Sequence, residues 1–165
     1  IEHENKLLTF TAWYAIIKNN LFSNFSHICL LEYDICFENH VLYNMDKLIA
    51  EHDYEVISFL GGTNYFKSNC DLNVFKLFIH TKNISSFDIN ALWYYTTNHC
   101  IKRTVLADFI DWYYPDCIYL KTADSNNFSY YHERLFNVYI RHFNKKCFLL
   151  NETIKHLQLC SHGIK

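Results

Sequence analysis

An apolar run that stops on two carboxylates constrains this chain more than any other stretch. In HICLLEYD, residues 27 to 34, Ile28, Cys29, Leu30 and Leu31 lead straight into Glu32 and Asp34, with Tyr33 between them. A short apolar run bounded by polar residues reads as a buried strand, here residues 27–31. Side chains alternate along a strand, so Glu32 and Asp34, two residues apart, point the same way. Two acids then stand side by side at a strand's carboxyl end, where open α/β sheets bind ligands. Carboxylates that close repel unless a proton or a cation joins them. Mg²⁺ and Mn²⁺ take oxygen ligands, commonly one or two carboxylates plus substrate phosphates, so the pair points to metal–phosphate chemistry. The plainer reading is a solvated strand end.

The rest of the chain alternates helical and strand patterns. Residues 5–21 read as a helix, with Leu7, Leu8, Tyr14 and Leu21 near period 3.6. Asn39 is placed to cap a helix over about 40–51. YEVISFL reads as a second strand, closed by Gly61 and Gly62. VFKLFIH (74–80) and LWYYTT (92–97) read as further strands. TVLADFIDWYY (104–114) reads as a helix capped by Thr104 and stopped by Pro115, with CIYL (117–120) a short strand after it. The polar loop TADSNNFS leads to a helix, YYHERLFNVYIRHF, and KCFLL (146–150) is a last strand. Strands interleaved with helices predict an α/β sandwich around a mixed sheet.

Composition excludes several classes. At 165 residues the chain suits one domain with a sizeable core, and half of it is hydrophobic. Fifteen basic against seventeen acidic residues leave a formal charge of −2, which argues against nucleic acid as a partner. No apolar run approaches the roughly 20 residues that cross a bilayer. Seven cysteines, an odd number without a CxxC pair, favour a reducing compartment, the cytoplasm, over a disulfide framework or a zinc site. The chain opens on Ile1 and reads as a piece of something longer.

An apolar strand ending in LLEYD, followed by a hydrophobic residue and a helix, resembles the D-x-D region of GT-A glycosyltransferases. The likeness extends to the helix before it, to YEVISFLGG after it, and to WYYTTNHCIKRTVLADFIDWYYP, which is similar to the acceptor side of that family. The departure is Glu32 in the first position of the motif. The resemblance implies a GT-A-like mixed sheet flanked by helices and a metal-dependent transfer of sugar from a nucleotide-sugar donor to a carbohydrate or protein acceptor. Asp34 would be the direct metal ligand, for Mn²⁺ or Mg²⁺, and Glu32 would lie toward the donor's ribose or sugar. Only 31 residues precede Glu32. As a single glycosyltransferase-like domain over 1–165, the chain would therefore lack part of the N-terminal nucleotide-binding half, unless a partner chain supplies it.

Two further elements take roles beside the motif. On the helix YYHERLFNVYIRHF, His132, Phe136, Tyr139, Ile140 and Phe143 share one face, and Arg134 and Arg141 lie opposite. Glu133 falls about 60° from Phe136 at 100° per residue. That is the flank of the apolar face, where partial desolvation suits a general base. The family carries an acidic residue at the start of a comparable helix, and HER is a loose version of it. The plainer reading of Glu133 is a helix-dipole glutamate. The C-terminal KHLQLCSHGIK resembles a tail that completes the metal site with a histidine ahead of glycine and lysine. His162 fits that order best, His156 is the other candidate, and Lys165 would neutralise the diphosphate.

Two other functions compete. A phosphoryl or nucleotidyl transferase also uses paired carboxylates, and for a second ion Asp108 with Asp111 is the close candidate. A non-catalytic carbohydrate-binding or assembly module would use Trp93, Tyr94, Tyr95, Trp112, Tyr113 and Tyr114 as sugar platforms, although as core and interface residues they need no such role.

Overall fold

A computed structural model of the chain describes residues 9–32, 35–62, 72–84, 88, 92–94, 98–124, 128–150 and 154–156. The first helix, α1 (Thr9–Lys18), buries Phe10 and Trp13 one turn apart. It ends before the expected Leu21, because Asn20 and Phe22 take positive φ and turn the chain, leaving Leu21 exposed; residues 5–8 of the expected helix lie outside the described residues. β1 (His27–Leu30) follows, then β2 (Ile35–Phe37) and α2 (Asn39–His52). The residue before α2 is Glu38, not Asn39, and Asp53 ends the helix in a left-handed conformation. β3 (Val56–Ser58) leads into β4 (Gly61–Gly62).

The segment 74–80 is not a strand. It lies within α3 (Leu72–Thr81), whose buried residues Phe75, Phe78 and Ile79 recur at i, i+3 and i+4. Its aromatic and β-branched content imitates a strand, but the burial period is helical. After β5 (Trp93–Tyr94) and β6 (His99–Lys102) comes α4 (Arg103–Tyr113), which starts one residue before Thr104 and has no side-chain cap. Pro115 sits in a 3₁₀ turn, where its missing N–H is tolerated, and the chain continues into α5 (Cys117–Ala123). CIYL is therefore helical. α6 (Phe128–His142), β7 (Cys147–Leu149) and β8 (Ile154–His156) complete the described elements.

Four strands form a mixed sheet in the order β1-β6-β3-β7. β6 pairs antiparallel with both β1 and β3, while β3 pairs parallel with β7, so β1, β3 and β7 run the same way. Register sets Leu30, His99, Ser58 and Leu149 in one row at the carboxyl ends of those three strands. Helices cover both faces. On one, Ile28, Leu30, Val56 and Ile101 pack with Phe10, Trp13, Val105, Phe109 and Phe136 of α1, α4 and α6. On the other, Ile57, Phe59 and Cys100 pack with Val41 and Met45 of α2. The fold is mixed α/β, with helices flanking a mixed sheet.

Two small ladders lie outside that sheet. β4 pairs with β5, and a Cβ on Gly61 would stand 3.0 Å from the Trp93 carbonyl oxygen and from the Leu149 side chain, a tight contact that glycine avoids. β2 pairs antiparallel with β8, matching Ile35 with His156.

Candidate functional site

The carboxyl end of β1 carries Glu32, and its placement depends on Asn98. The Glu32 N–H donates to Asn98 Oδ1 at 2.8 Å, and Asn98 Nδ2 donates to Glu32 Oε2 at 3.0 Å. Asn98 is fully buried, and its carbonyl accepts the Phe59 N–H at 3.3 Å. One residue thus joins the ends of β1 and β3 at the front of β6, through its side-chain amide and its main-chain carbonyl. In the next row His99 lies 3.2 Å from Ser58 Oγ through Nδ1, with its ring against those of Trp13 and Phe136.

Helix α6 approaches the same edge. It leads through a tight turn into β7, so it runs opposite to β1, β3 and β7, and its first turns lie at their carboxyl ends. Phe136 is level with His99, the ring centroids being 5.4 Å apart, and Glu133 lies almost one turn further out. Asn137, fully buried, behaves as a strand partner: its Oδ1 accepts the Tyr94 N–H at 2.8 Å and its Nδ2 donates to the Tyr94 carbonyl at 2.9 Å. Glu133, one turn before Asn137, shares its side of the helix.

Glu133 is 7 % exposed, as its position on the flank of the apolar face anticipates. Arg134, opposite the apolar face on the helical wheel, is also buried: it is 1 % exposed, with Nη1 3.5 Å from Glu133 Oε2 and donating to the Tyr130 carbonyl at 3.3 Å. Residues 131–140 are all buried, so the middle of α6 is internal on its polar side as well, while Tyr130 and His142 at its ends are exposed. His132 shares that interior: burial, and secondarily the Arg134 charge, push its pKa down to about 3, leaving a neutral imidazole at ordinary pH.

Asn98 holds Glu32 just past β1, the side of α6 that carries Glu133 and Asn137 meets Tyr94 of β5, and the β2–β8 ladder sets the His156 backbone opposite Ile35, the residue after Asp34. Asp34, His162 and Lys165 lie outside the described residues, as does the His156 side chain. Among the described residues there is no group of three or more His, Cys, Asp or Glu able to hold a metal ion. Asp111 and Asp108 do not form a second acidic centre, since Asp111 pairs with Lys18 at 2.8 Å and Asp108 stands 4.0 Å from Lys145. Trp93 and Tyr113 are fully buried core residues, not open platforms.

Sequence reasoning missed Asn98, Asn137 and the buried state of Arg134. A lone asparagine between WYYTT and HCIK was the available signal for Asn98, a polar residue set between strand-forming ones. A cavity of about 410 Å³ lies away from this edge, at the amino end of β7, lined by Tyr94, Ile140, Arg141, Asn144, Lys145 and Cys147. It has no carboxylate, and Lys145 is engaged by Glu55 at 3.7 Å.

Comparison with protein-family models, curated proteins and solved structures gives no significant match to this chain. No described helix is long and apolar enough to cross a membrane.

Proposed function

We propose that this chain is a metal-dependent glycosyltransferase domain that moves a sugar from a nucleotide-sugar donor to an acceptor hydroxyl. The observation that carries the reading is the Asn98 clamp on Glu32, with the chain's C-terminal strand paired beside the same acidic motif. Glu32 is clamped by Asn98 at the end of β1, Glu133 is buried on α6, and the C-terminal strand β8 is hydrogen-bonded beside the residue that follows Asp34. A packing role alone does not call for an oriented carboxylate and the chain's C-terminal strand on either side of the same short acidic motif.

The donor set suits a hard divalent ion: carboxylate oxygens from the EYD motif and an imidazole from the tail, with Asp34 and either His162 or His156 holding it. Bound there, Mn²⁺ or Mg²⁺ would supply positive charge to the donor diphosphate. The chain's own groups then divide the work. Asn98 fixes the Glu32 carboxylate toward the donor, Lys165 adds charge at the leaving group, and Glu133 accepts the acceptor's proton. The pairing of Asp108 and Asp111 with lysines gives a two-ion phosphoryl transferase little support.

The test measures nucleotide diphosphate binding with and without Mn²⁺, then turnover of a panel of nucleotide sugars. Asp34→Asn keeps the shape and removes the charge, so it should abolish metal-dependent binding with the melting temperature nearly unchanged. Equal binding of nucleotide by wild type and variant, or no Mn²⁺ dependence, would sink the reading. Binding without turnover would leave a non-catalytic carbohydrate or nucleotide module.

A further inference from the structure

Cys29 and Cys100 stand directly opposite each other on β1 and β6. The flanking ladder decides what kind of pair they form. The Arg103 N–H donates to the Ser26 carbonyl at 2.8 Å across the same two strands. Hydrogen-bonded and non-hydrogen-bonded pairs alternate along an antiparallel ladder. Counting from Ser26 and Arg103, the Ile28–Ile101 and Leu30–His99 pairs are hydrogen-bonded, and Cys29–Cys100 is not. The other side of β6 agrees: the Lys102 N–H donates to the Glu55 carbonyl at 2.8 Å, so the Cys100 backbone bonds toward β3. Non-hydrogen-bonded pairs bring opposite Cα atoms to about 4.5 Å with side chains at their closest. A disulfide spans Cα separations of about 4.4–6.8 Å.

Access is asymmetric. Cys29 is exposed on an edge strand, whereas Cys100 is 2 % exposed in the core beneath α2. The hydrogen bond between the two thiols lowers the pKa of Cys29, and the same bond together with burial raises that of Cys100. An accessible thiol with a lowered pKa, beside a buried thiol with a raised one, matches an attacking and a resolving cysteine. The other described cysteines have no such neighbour in register: Cys36 faces Lys155, Cys147 faces Val56, and Cys117 lies on α5.

We propose that Cys29 and Cys100 form a reversible cross-strand disulfide, a redox modification site on the strand that leads to Glu32. The oxidant is a low-molecular-weight disulfide such as oxidised glutathione. The Cys29 thiolate attacks one of its sulfurs, forming a mixed disulfide and releasing one glutathione thiolate. Cys100 then gives its proton to solvent, and its sulfur attacks the Cys29 sulfur, expelling the second glutathione thiolate. Two electrons pass from the two cysteines to the oxidant, which leaves as two glutathione molecules, and excess reduced glutathione reverses both steps. The bond ties the edge strand to β6 two pairs before Asn98 clasps Glu32. It does not depend on what that site binds.

The test incubates the full chain with oxidised glutathione, blocks remaining thiols, and maps proteolytic peptides by mass spectrometry. The expected product is a cross-linked Cys29–Cys100 peptide pair lighter by two hydrogens, lost on reduction. Cys100→Ala should accumulate the Cys29–glutathione adduct that the wild type resolves. Cys29→Ser, a change at an exposed position, should abolish the cross-link and leave Cys100 unmodified. Cys36→Ser should change nothing. A wild type that stops at the glutathione adduct, joins Cys29 to another cysteine, or shows no reaction at Cys29 overturns the proposal.

Discussion

Asn98 grips Glu32 at two points, taking its backbone N–H on Oδ1 at 2.8 Å and donating from Nδ2 to Oε2 at 3.0 Å. Backbone and side chain are held by the same amide, so the direction of the carboxylate is set by β6 and not by β1 alone. A surface glutamate would sample several rotamers; this one has its orientation fixed from a fully buried anchor.

Asn98→Ala should lose both bonds and leave the Glu32 N–H without that acceptor, at a cost of about 1–3 kcal/mol. Urea unfolding measures it. Asn98→Asp should cost more at neutral pH, because it removes the donor and brings a second carboxylate against Glu32. Lowering the pH should close part of the gap between the two variants, and an unchanged gap would argue against direct repulsion.

Glu133→Gln should lower transfer by at least about a hundredfold, the scale of a lost general base, without changing donor affinity. It also leaves the buried Arg134 guanidinium without the opposite charge 3.5 Å away, so stability should fall too. Adding Arg134→Met should restore part of the stability and none of the turnover. Recovery of both together would make Glu133 a structural partner of Arg134.

The two tail histidines separate by metal binding. If the His-Gly-x-Lys order carries the ligand, His162→Ala weakens Mn²⁺ binding more than His156→Ala. The reverse order would transfer the role to His156, whose backbone already pairs with Ile35. Equal and negligible effects would make the tail a structural strand only.

His132 predicts an acid limb in stability. Its pKa falls from an ordinary 6.5 to about 3 on folding, so the unfolded chain binds the extra proton first. This contribution is complete above the unfolded value and is lost as pH falls from about 6.5 toward about 3. Its slope is at most about 1.4 kcal/mol per pH unit. His132→Phe, in a pocket already lined by the Phe10 and Trp13 rings, should flatten the limb in pH-dependent urea unfolding. An unaltered slope would assign the acid sensitivity to carboxylates.

The amino-acid sequence by itself determined those elements whose apolar pattern matches their burial. β1, β3 and β7 are legible as short apolar runs and α2, α4 and α6 from their start and stop signals and helical spacing, and the acids after Leu31 mark the strand's end. α3 and α5 were not legible as helices, because short aromatic and β-branched segments satisfy either period until a neighbour covers one face. Phe75, Phe78 and Ile79 make that choice only against the core they enter. Tertiary structure alone decided the rest. The pairing of Ile35 with His156, the clasp of Asn98 on Glu32 and the opposition of Cys29 and Cys100 each join residues far apart in sequence. No local preference encodes such contacts, because a strand's register is settled by the sheet that receives it.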